Sequence, residues 1–278
     1  MSLADPRLTL ARPDLARVEL EGLVRADRFE AAPARQVRFP VTAVRKAPDA
    51  KAEQVDQLLF GELFDVLEVA GGFAWGQARR DGYVGHVALD ALAEPGPAAT
   101  HWVSALRTYA FAEPSVRAAP FGPLSMNALV SIDGEQGAWL HAAGAGWIAA
   151  RHLRTLGDRP TDFVEIAEQY LGTPYLWGGR DSLGLDCSGL VQQALFACGQ
   201  ACPRDTDQQG ALGEAAPGNA LIRGDLVFWK GHVGVMLDGA RLLHANAHHM
   251  AVAIEPLGEA IQRIDGAGVG QPTGFRRL

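Results

Sequence analysis

A spacing that occurs twice constrains this chain most. Trp75 precedes Tyr83 by eight residues and Leu89 by fourteen, and Trp139 precedes Trp147 by eight and Leu153 by fourteen. Around each set, short apolar runs alternate with turn residues. VTAV, FDVLEV, FAWGQA and YVGHV are divided by Pro48, Gly61, Gly71, Gly72, Asp81 and Gly82; VSALRTYAF, ALVSI, AWLHA and GWIAA are divided by Pro114, Pro120, Gly122, Pro123, Asp133, Gly134 and Gly144. Runs of that length between Gly and Pro read as strands of small barrels, and a repeated layout reads as an internal duplication. Two small all-β barrels are therefore expected, at residues 36–95 and 98–156, preceded by an Ala-, Arg- and Asp-rich extension over residues 1–35 that packs on a neighbour or stays partly loose. Aligning the copies on these landmarks sets Gly61-Glu62 against Gly122-Pro123, so only the first carries a carboxylate there.

Near Pro160 the pattern changes. In TDFVEIAEQYLG the apolar Phe163, Ile166, Ala167 and Tyr170 recur at helical spacing behind a cap at Thr161 or Asp162, and Gly172 is placed to end the helix. A third domain, 158–278, begins here. The chain carries a formal net charge of -7, most of it from Asp158 onward, which argues against a nucleic-acid or anionic-polymer partner. Charges scattered through the first thirty residues leave no apolar run for a signal peptide or membrane anchor, so the expected location is the cytoplasm. Three cysteines, Cys187, Cys198 and Cys202, are too few and too odd in number for a disulfide framework.

The stretch GTPYLWGGRDSLGLDCSGLVQQALFACG runs from a Gly-rich loop into an apolar periodic segment, which puts Cys187 at a helix start. Unpaired N–H groups and the positive dipole end favour an anion there, and thiol pKa values at such positions fall from about 8.5 to between about 3.5 and 7.5. Asp186 and Ser188 flank it as a polar opening, whereas Cys198 lies on the apolar helical face and reads as inert. A base comes from GDLVFWKGHVGVMLDGARLLHANA. With Leu237-Asp238-Gly239 as a three-residue hairpin loop and Gly239 left-handed, Met236 pairs with Ala240, Gly234 with Leu242 and His232 with His244. Directly opposed side chains have Cβ atoms about 4.5–5.5 Å apart, so His232 can take the thiol proton while His244 holds its ring. A metal site from Cys198, Cys202, His248 and His249 lacks a second close pair at zinc spacing; no metal or other cofactor is expected.

These residues resemble the NlpC family of cell-wall cysteine peptidases, which carry a G-x-P-Y-x-W-G-G segment, then D-C-S-G-L-V, then G-D-L-V-F followed by H-V-G. All three stand here in order, at Gly172 to Gly179, Asp186 to Val191 and Gly224 to Gly234. The resemblance implies an α+β papain-like domain, with a Cys-bearing helix on an antiparallel sheet, behind two small barrels that resemble bacterial SH3-like domains. It also implies Cys187, His232 and His244 as the catalytic set, with Tyr175 and the Cys187 N–H at the oxyanion. Arg204 and Thr206 in PRDTDQQ become candidates for the substrate D-Glu carboxylate, and Ser188 is a further substrate-binding candidate. In relatives with SH3-like domains the first barrel borders the cleft, which makes Glu62 and Tyr83, with Asp186, candidates to bind a free L-Ala ammonium. The implied substrate is a small murein peptide cleaved at its γ-D-glutamyl to diamino acid bond during recycling. A thiol amidase or acyltransferase, and a non-catalytic wall-binding module, are the competing readings.

Overall fold

The computed structural model describes residues 5–278; residues 1–4, part of the expected extension, lie outside them. Two compact units divide at Asp158 and Arg159. Among the described residues no helix is long and apolar enough to cross a membrane.

Unit one is almost entirely β. Its first sheet is built from β1 (Ala34–Val37), β2 (Val41–Arg45), β3 (Gln54–Leu59), β4 (Leu63–Ala70), β5 (Phe73–Ala78), β6 (Val84–Ala88) and β7 (Leu92–Ala93), in the order β3-β2-β6-β5-β4-β1-β7. Alternate residues point inward, so Val37, Val44, Leu58, Phe64, Val66, Ala74 and Val87 form one core. The extension packs on it: Leu10 and Leu15 join Leu67 and Trp75 in a buried cluster. Arg12 lies 4.1 Å over the Trp75 ring, and its guanidinium pairs with Glu68 at 2.9 Å.

The second half contains β8 (His101–Val103), β9 (Arg107–Phe111), β10 (Pro120–Ser125), β11 (Leu129–Val130), β12 (Ile132–Gln136), β13 (Trp139–Ala142), β14 (Gly146–Ala149) and β15 (Leu153–Thr155). Five of them run in the order β10-β9-β14-β13-β12 and three in the order β11-β8-β15. This is the order of the first sheet, with β4 broken at Ser131 into two strands. A separate core of Val103, Ala110, Leu124, Val130, Ala142, Ile148 and Leu153 lies inside, and it also takes Leu59 and Phe60 from the first half.

The aromatic landmarks are not equivalent positions. Trp75 pairs with His86, whereas Trp147 pairs with His141, so Trp147 occupies the place of His86. The loop between β5 and β6 spans 79–83 and its counterpart only 143–145, and a hairpin loop can change length without disturbing the strands it joins. Gly122-Pro123 falls inside β10 and is likewise not the counterpart of Gly61-Glu62. Backbone bonds identify the true one: Gly61 N donates to Val37 O and Val37 N to Glu62 O, as Asn127 N donates to Val103 O and Val103 N to Ala128 O. Gly61 has φ 81 and Asn127 φ 72, and Asn is among the few non-glycine residues that tolerate that region. The two turns meet, with Leu129 N donating to Phe60 O at 2.9 Å. A Cβ on Gly61 would stand 2.0 Å from Leu129 O, so only glycine fits.

Unit two carries α1 (Phe163–Glu168), α2 (Cys187–Ala197), α3 (Thr206–Gln209) and α4 (Leu257–Gly266) with a six-stranded sheet. Its strands are β16 (Glu214–Ala215), β17 (Leu226–Trp229), β18 (His232–Met236), β19 (Arg241–Asn246), β20 (Ala251–Pro256) and β21 (Gly274–Arg277), in the order β16-β21-β17-β18-β19-β20. Every pair is antiparallel. Asp162 caps α1, accepting from Val164 N and Glu165 N; the helix stops at Glu168, short of Gly172, which is left-handed but lies beyond the cap. α4 covers Val227, Trp229, Met236 and Leu242, while α2 packs against β18 and β19 and so carries its first residue to the start of β18.

Candidate active site

Cys187 opens α2, as its sequence context requires. Asp186 is the N-cap: its Oδ1 accepts from Gly189 N at 2.8 Å and its Oδ2 from Gly178 N at 2.9 Å, which ties the helix to the Gly-rich loop. A Cβ at Gly189 would lie 2.3 Å from Gly179 O, so the close approach of helix and loop depends on that glycine. The thiol is buried. Its Sγ lies 4.0 Å from Gly231 O and receives the Val233 N–H, so the backbone on either side of His232 holds the sulfur.

His232 Nε2 and His244 Nδ1 are 2.8 Å apart. The two histidines meet, but by a different register from the one the sequence suggests. Val235 pairs with Leu243 and Met236 with Leu242, two residues further along β19. Leu237 N bonds Arg241 O, and the Asp238 carboxylate accepts from Ala240 N and Arg241 N, so the loop is Asp238 to Ala240 and Gly239 is not left-handed. A shift of two keeps every side chain on its own face, and diagonal neighbours on one face remain within reach of long side chains. Behind the pair, His244 Nε2 lies 2.7 Å from Glu255 Oε1, and Glu255 is ion-paired with Arg263.

The polar residues around the thiol bond one another. Arg204, 1% exposed, bonds both oxygens of Asp186, at 3.0 and 2.6 Å, and Ser188 Oγ at 2.8 Å. Ser188 Oγ in turn donates to Asp186 Oδ1. The carboxylate of Asp186 and the guanidinium of Arg204 therefore bond each other, where the sequence led us to expect them facing an ammonium and a carboxylate of the substrate. Glu62, the candidate partner of an ammonium, is buried: its Oε1 pairs with Arg80 at 2.8 Å and its Oε2 accepts from Leu59 N at 3.1 Å, inside its own unit. Tyr83 is buried next to the start of β6, its N–H donating to Asp81. Thr206 lines a cleft of about 480 Å³ with Asp207, Phe228, Lys230, Gly231 and Arg276. That cleft shares Gly231 with the thiol.

Residues 172–264 match the NlpC/P60 family. This segment is an NlpC/P60 domain. Residues 44–92 match the bacterial dipeptidyl-peptidase SH3 domain. The chain is 35% identical over 108 residues to the gamma-D-glutamyl-L-lysine dipeptidyl-peptidase of Bacillus subtilis, covering 36% of this chain and 36% of that protein; the chain thus spans about a third of that relative. It is 26% identical over 242 residues to dipeptidyl-peptidase 6 of Lysinibacillus sphaericus, covering 76% of this chain and 87% of that one. The crystal structure of an NlpC/P60 family protein from Bacillus cereus superposes with a TM-score of 0.75 at 19% identity, over 88% of this chain and 99% of that chain, a likeness of fold.

Electrostatics of the NlpC/P60 domain depart from the helix-start argument. Burial and the Asp186 charge push the Cys187 thiol up to about 12, against the lowering expected from the dipole. Burial, His244 and Arg263 push His232 down to about 3. Between these limits the resting pair is neutral thiol and neutral imidazole. Alkylation of Cys187 by iodoacetamide, read by mass spectrometry of its peptide, should therefore rise about tenfold per pH unit from pH 5 to 10, as the thiolate fraction does. A plateau across neutral pH would mean a preformed thiolate–imidazolium pair. Burial, followed by the charges of Cys187 and Asp186, raises the Tyr175 phenol above its ordinary range, so Tyr175 stays a protonated donor within electrostatic reach of the sulfur.

Among the described residues one trio offers metal-capable atoms within 4.8 Å of one another: His244, His249 and Glu255. Two of these are already bonded to each other, and Arg263 on Glu255 opposes a cation. Glu255 is the site residue that the sequence reading missed. It lies two positions beyond Ala253, the partner of His244, hence on the same face. Alternation along AVAIEP would find it only if the length of the turn holding His248 and His249 were known.

Proposed function

We propose that the NlpC/P60 domain is a cysteine peptidase of peptidoglycan stem peptides, acting on the γ-D-glutamyl to diamino acid bond and releasing L-Ala-D-Glu. The observation that carries this reading is the thiol of Cys187 held by the backbone on both sides of His232, whose Nε2 is bonded to His244. As the Cys187 sulfur attacks the γ-carbonyl carbon, its proton passes to His232 Nδ1 and the C=O electron pair moves to oxygen. The Tyr175 hydroxyl and Cys187 N–H stabilise that oxyanion. His232 then returns the proton to the departing amine as the C–N bond breaks. Water, deprotonated by His232, cleaves the thioester and restores the thiol. Lys230 and Arg276 in the adjoining cleft suit a substrate carboxylate. The activity for which the Bacillus subtilis relative is named supports the choice of bond.

The finer reading is a substrate with a free N-terminal L-Ala, as in cytoplasmic recycling of released wall peptides, and a second SH3-like barrel at 98–156, supported by its strand order. Incubation with L-Ala-γ-D-Glu-L-Lys, its diaminopimelate counterpart and the N-acetylated forms, followed by mass spectrometry, tests it. Release of L-Ala-D-Glu from the free peptides alone is expected. No release from any of them overturns the peptidase reading, and equal cleavage of the acetylated forms overturns the restriction to free amines.

A further inference from the structure

We infer that Glu255, anchored by Arg263, is a positioning residue that fixes the tautomers of both histidines and leaves His232 Nδ1 bare to receive the thiol proton. The inference rests on the peptidase reading for its kinetic consequence, but its structural part stands on geometry alone. A carboxylate only accepts hydrogen bonds. His244 Nε2, 2.7 Å from Glu255 Oε1, therefore carries the hydrogen. In a neutral ring the other nitrogen is then an acceptor, so His244 Nδ1 must receive its bond from His232 Nε2, 2.8 Å away. His232 thus holds its hydrogen on Nε2, and its remaining nitrogen, Nδ1, has a free lone pair. One carboxylate sets two rings in series. Without it, His244 is free to put its hydrogen on Nδ1; His232 Nε2 then becomes the acceptor, its hydrogen moves to Nδ1, and the base is lost.

The site holds Glu255 to this task. Burial works against its charge, yet Arg263 and His244 keep its carboxyl below the usual range. Arg263 comes from α4, so the ion pair ties the helix that covers the sheet to the strand beside His244. The charged and titratable groups facing His244 are His232 from β18, His249 from the turn before β20, Glu255 from β20 and Arg263 from α4. Glu255 alone of these is an anion, so no other group can substitute for it.

The test uses the full chain labelled with ¹⁵N-histidine. Two-bond ¹H–¹⁵N correlation spectra at neutral pH should show both His232 and His244 as Nε2–H tautomers. Glu255→Gln should mix the tautomers of both rings and lower kcat on L-Ala-γ-D-Glu-L-Lys about 10- to 100-fold with KM within about twofold, the range seen when a supporting partner is removed. Arg263→Met should move both readouts in the same direction by less. A wild-type His244 carrying its hydrogen on Nδ1 overturns the inference without any variant, and so does Glu255→Gln with wild-type kcat. If the wild type cleaves no peptide, the peptidase reading fails, and the spectra still decide the tautomers.

Discussion

Cys187→Ala should release L-Ala-D-Glu at no more than about 10⁻⁴ of the wild-type rate, the scale of loss when a covalent nucleophile is removed. In the proposed mechanism the Cys187 sulfur makes and breaks the only covalent link to the substrate, and the other two cysteines stand elsewhere, Cys198 at the C-cap of α2 and Cys202 beyond it. Removal of one sulfur from a buried site leaves the cap, the Asp186–Arg204 pair and the histidine pair in place, so the circular dichroism spectrum should be unchanged. Cys187→Ser should recover little. With His232 pushed down to about 3, it is too weak a base to take a proton from an alkyl hydroxyl, whose acidity lies far below even a raised thiol. Progress curves at matched protein concentration measure both variants. Activity within tenfold of wild type in Cys187→Ala would remove Cys187 from the mechanism.

The second large effect concerns stability. Asp186→Ala should destabilise residues 159–278 by about 3–5 kcal/mol, the cost of stranding a buried charge. Three supports go together. Arg204 loses its counter-ion while almost wholly buried, the Gly189 N–H loses its cap, and the Gly178 N–H loses the bond that holds the Gly-rich loop. Arg204→Met should cost less, about 1–3 kcal/mol, because Asp186 would keep both backbone donors. Native-state hydrogen exchange of the α2 amides, from Leu190 to Ala197, reads the opening free energy of this unit separately from the β unit, whose own unfolding would confuse a single melting curve. Arg204→Met with unchanged exchange but a KM raised tenfold would instead make Arg204 a substrate ligand.

This pair illustrates where reading from sequence stops. Asp186, Ser188 and Arg204 were legible as polar residues near a helix-starting cysteine, but whether their charges face outward or toward one another depends on how a loop 18 residues downstream of Asp186 returns to the helix. Glu62 is a similar case. Only the first of the two matched turns carries a carboxylate, as the sequence comparison gave it, but the matching turn is Asn127-Ala128 and not Gly122-Pro123, because the spacing of aromatic residues does not record loop lengths. The hairpin placed His232 and His244 on one face with its turn displaced by a residue. It survived because strand periodicity is two, and the displacement moved the partner by an even step.

The sequence by itself determined the helix start of the proposed nucleophile Cys187 and the face shared by the two histidines, since these follow from local capping, period and spacing of the three motifs. It determined the β character of residues 5–158 for the same reason. Tertiary structure alone decided the charge state of the site. Burial, a sum over neighbours from every element, outweighs the helix dipole and makes the resting thiol and imidazole neutral. It also decided the depth of the relay, because Glu255 reaches His244 through the register of β19 and β20, and Arg263 reaches Glu255 through the packing of α4. Those placements depend on how distant segments return to one another, which local patterns do not encode.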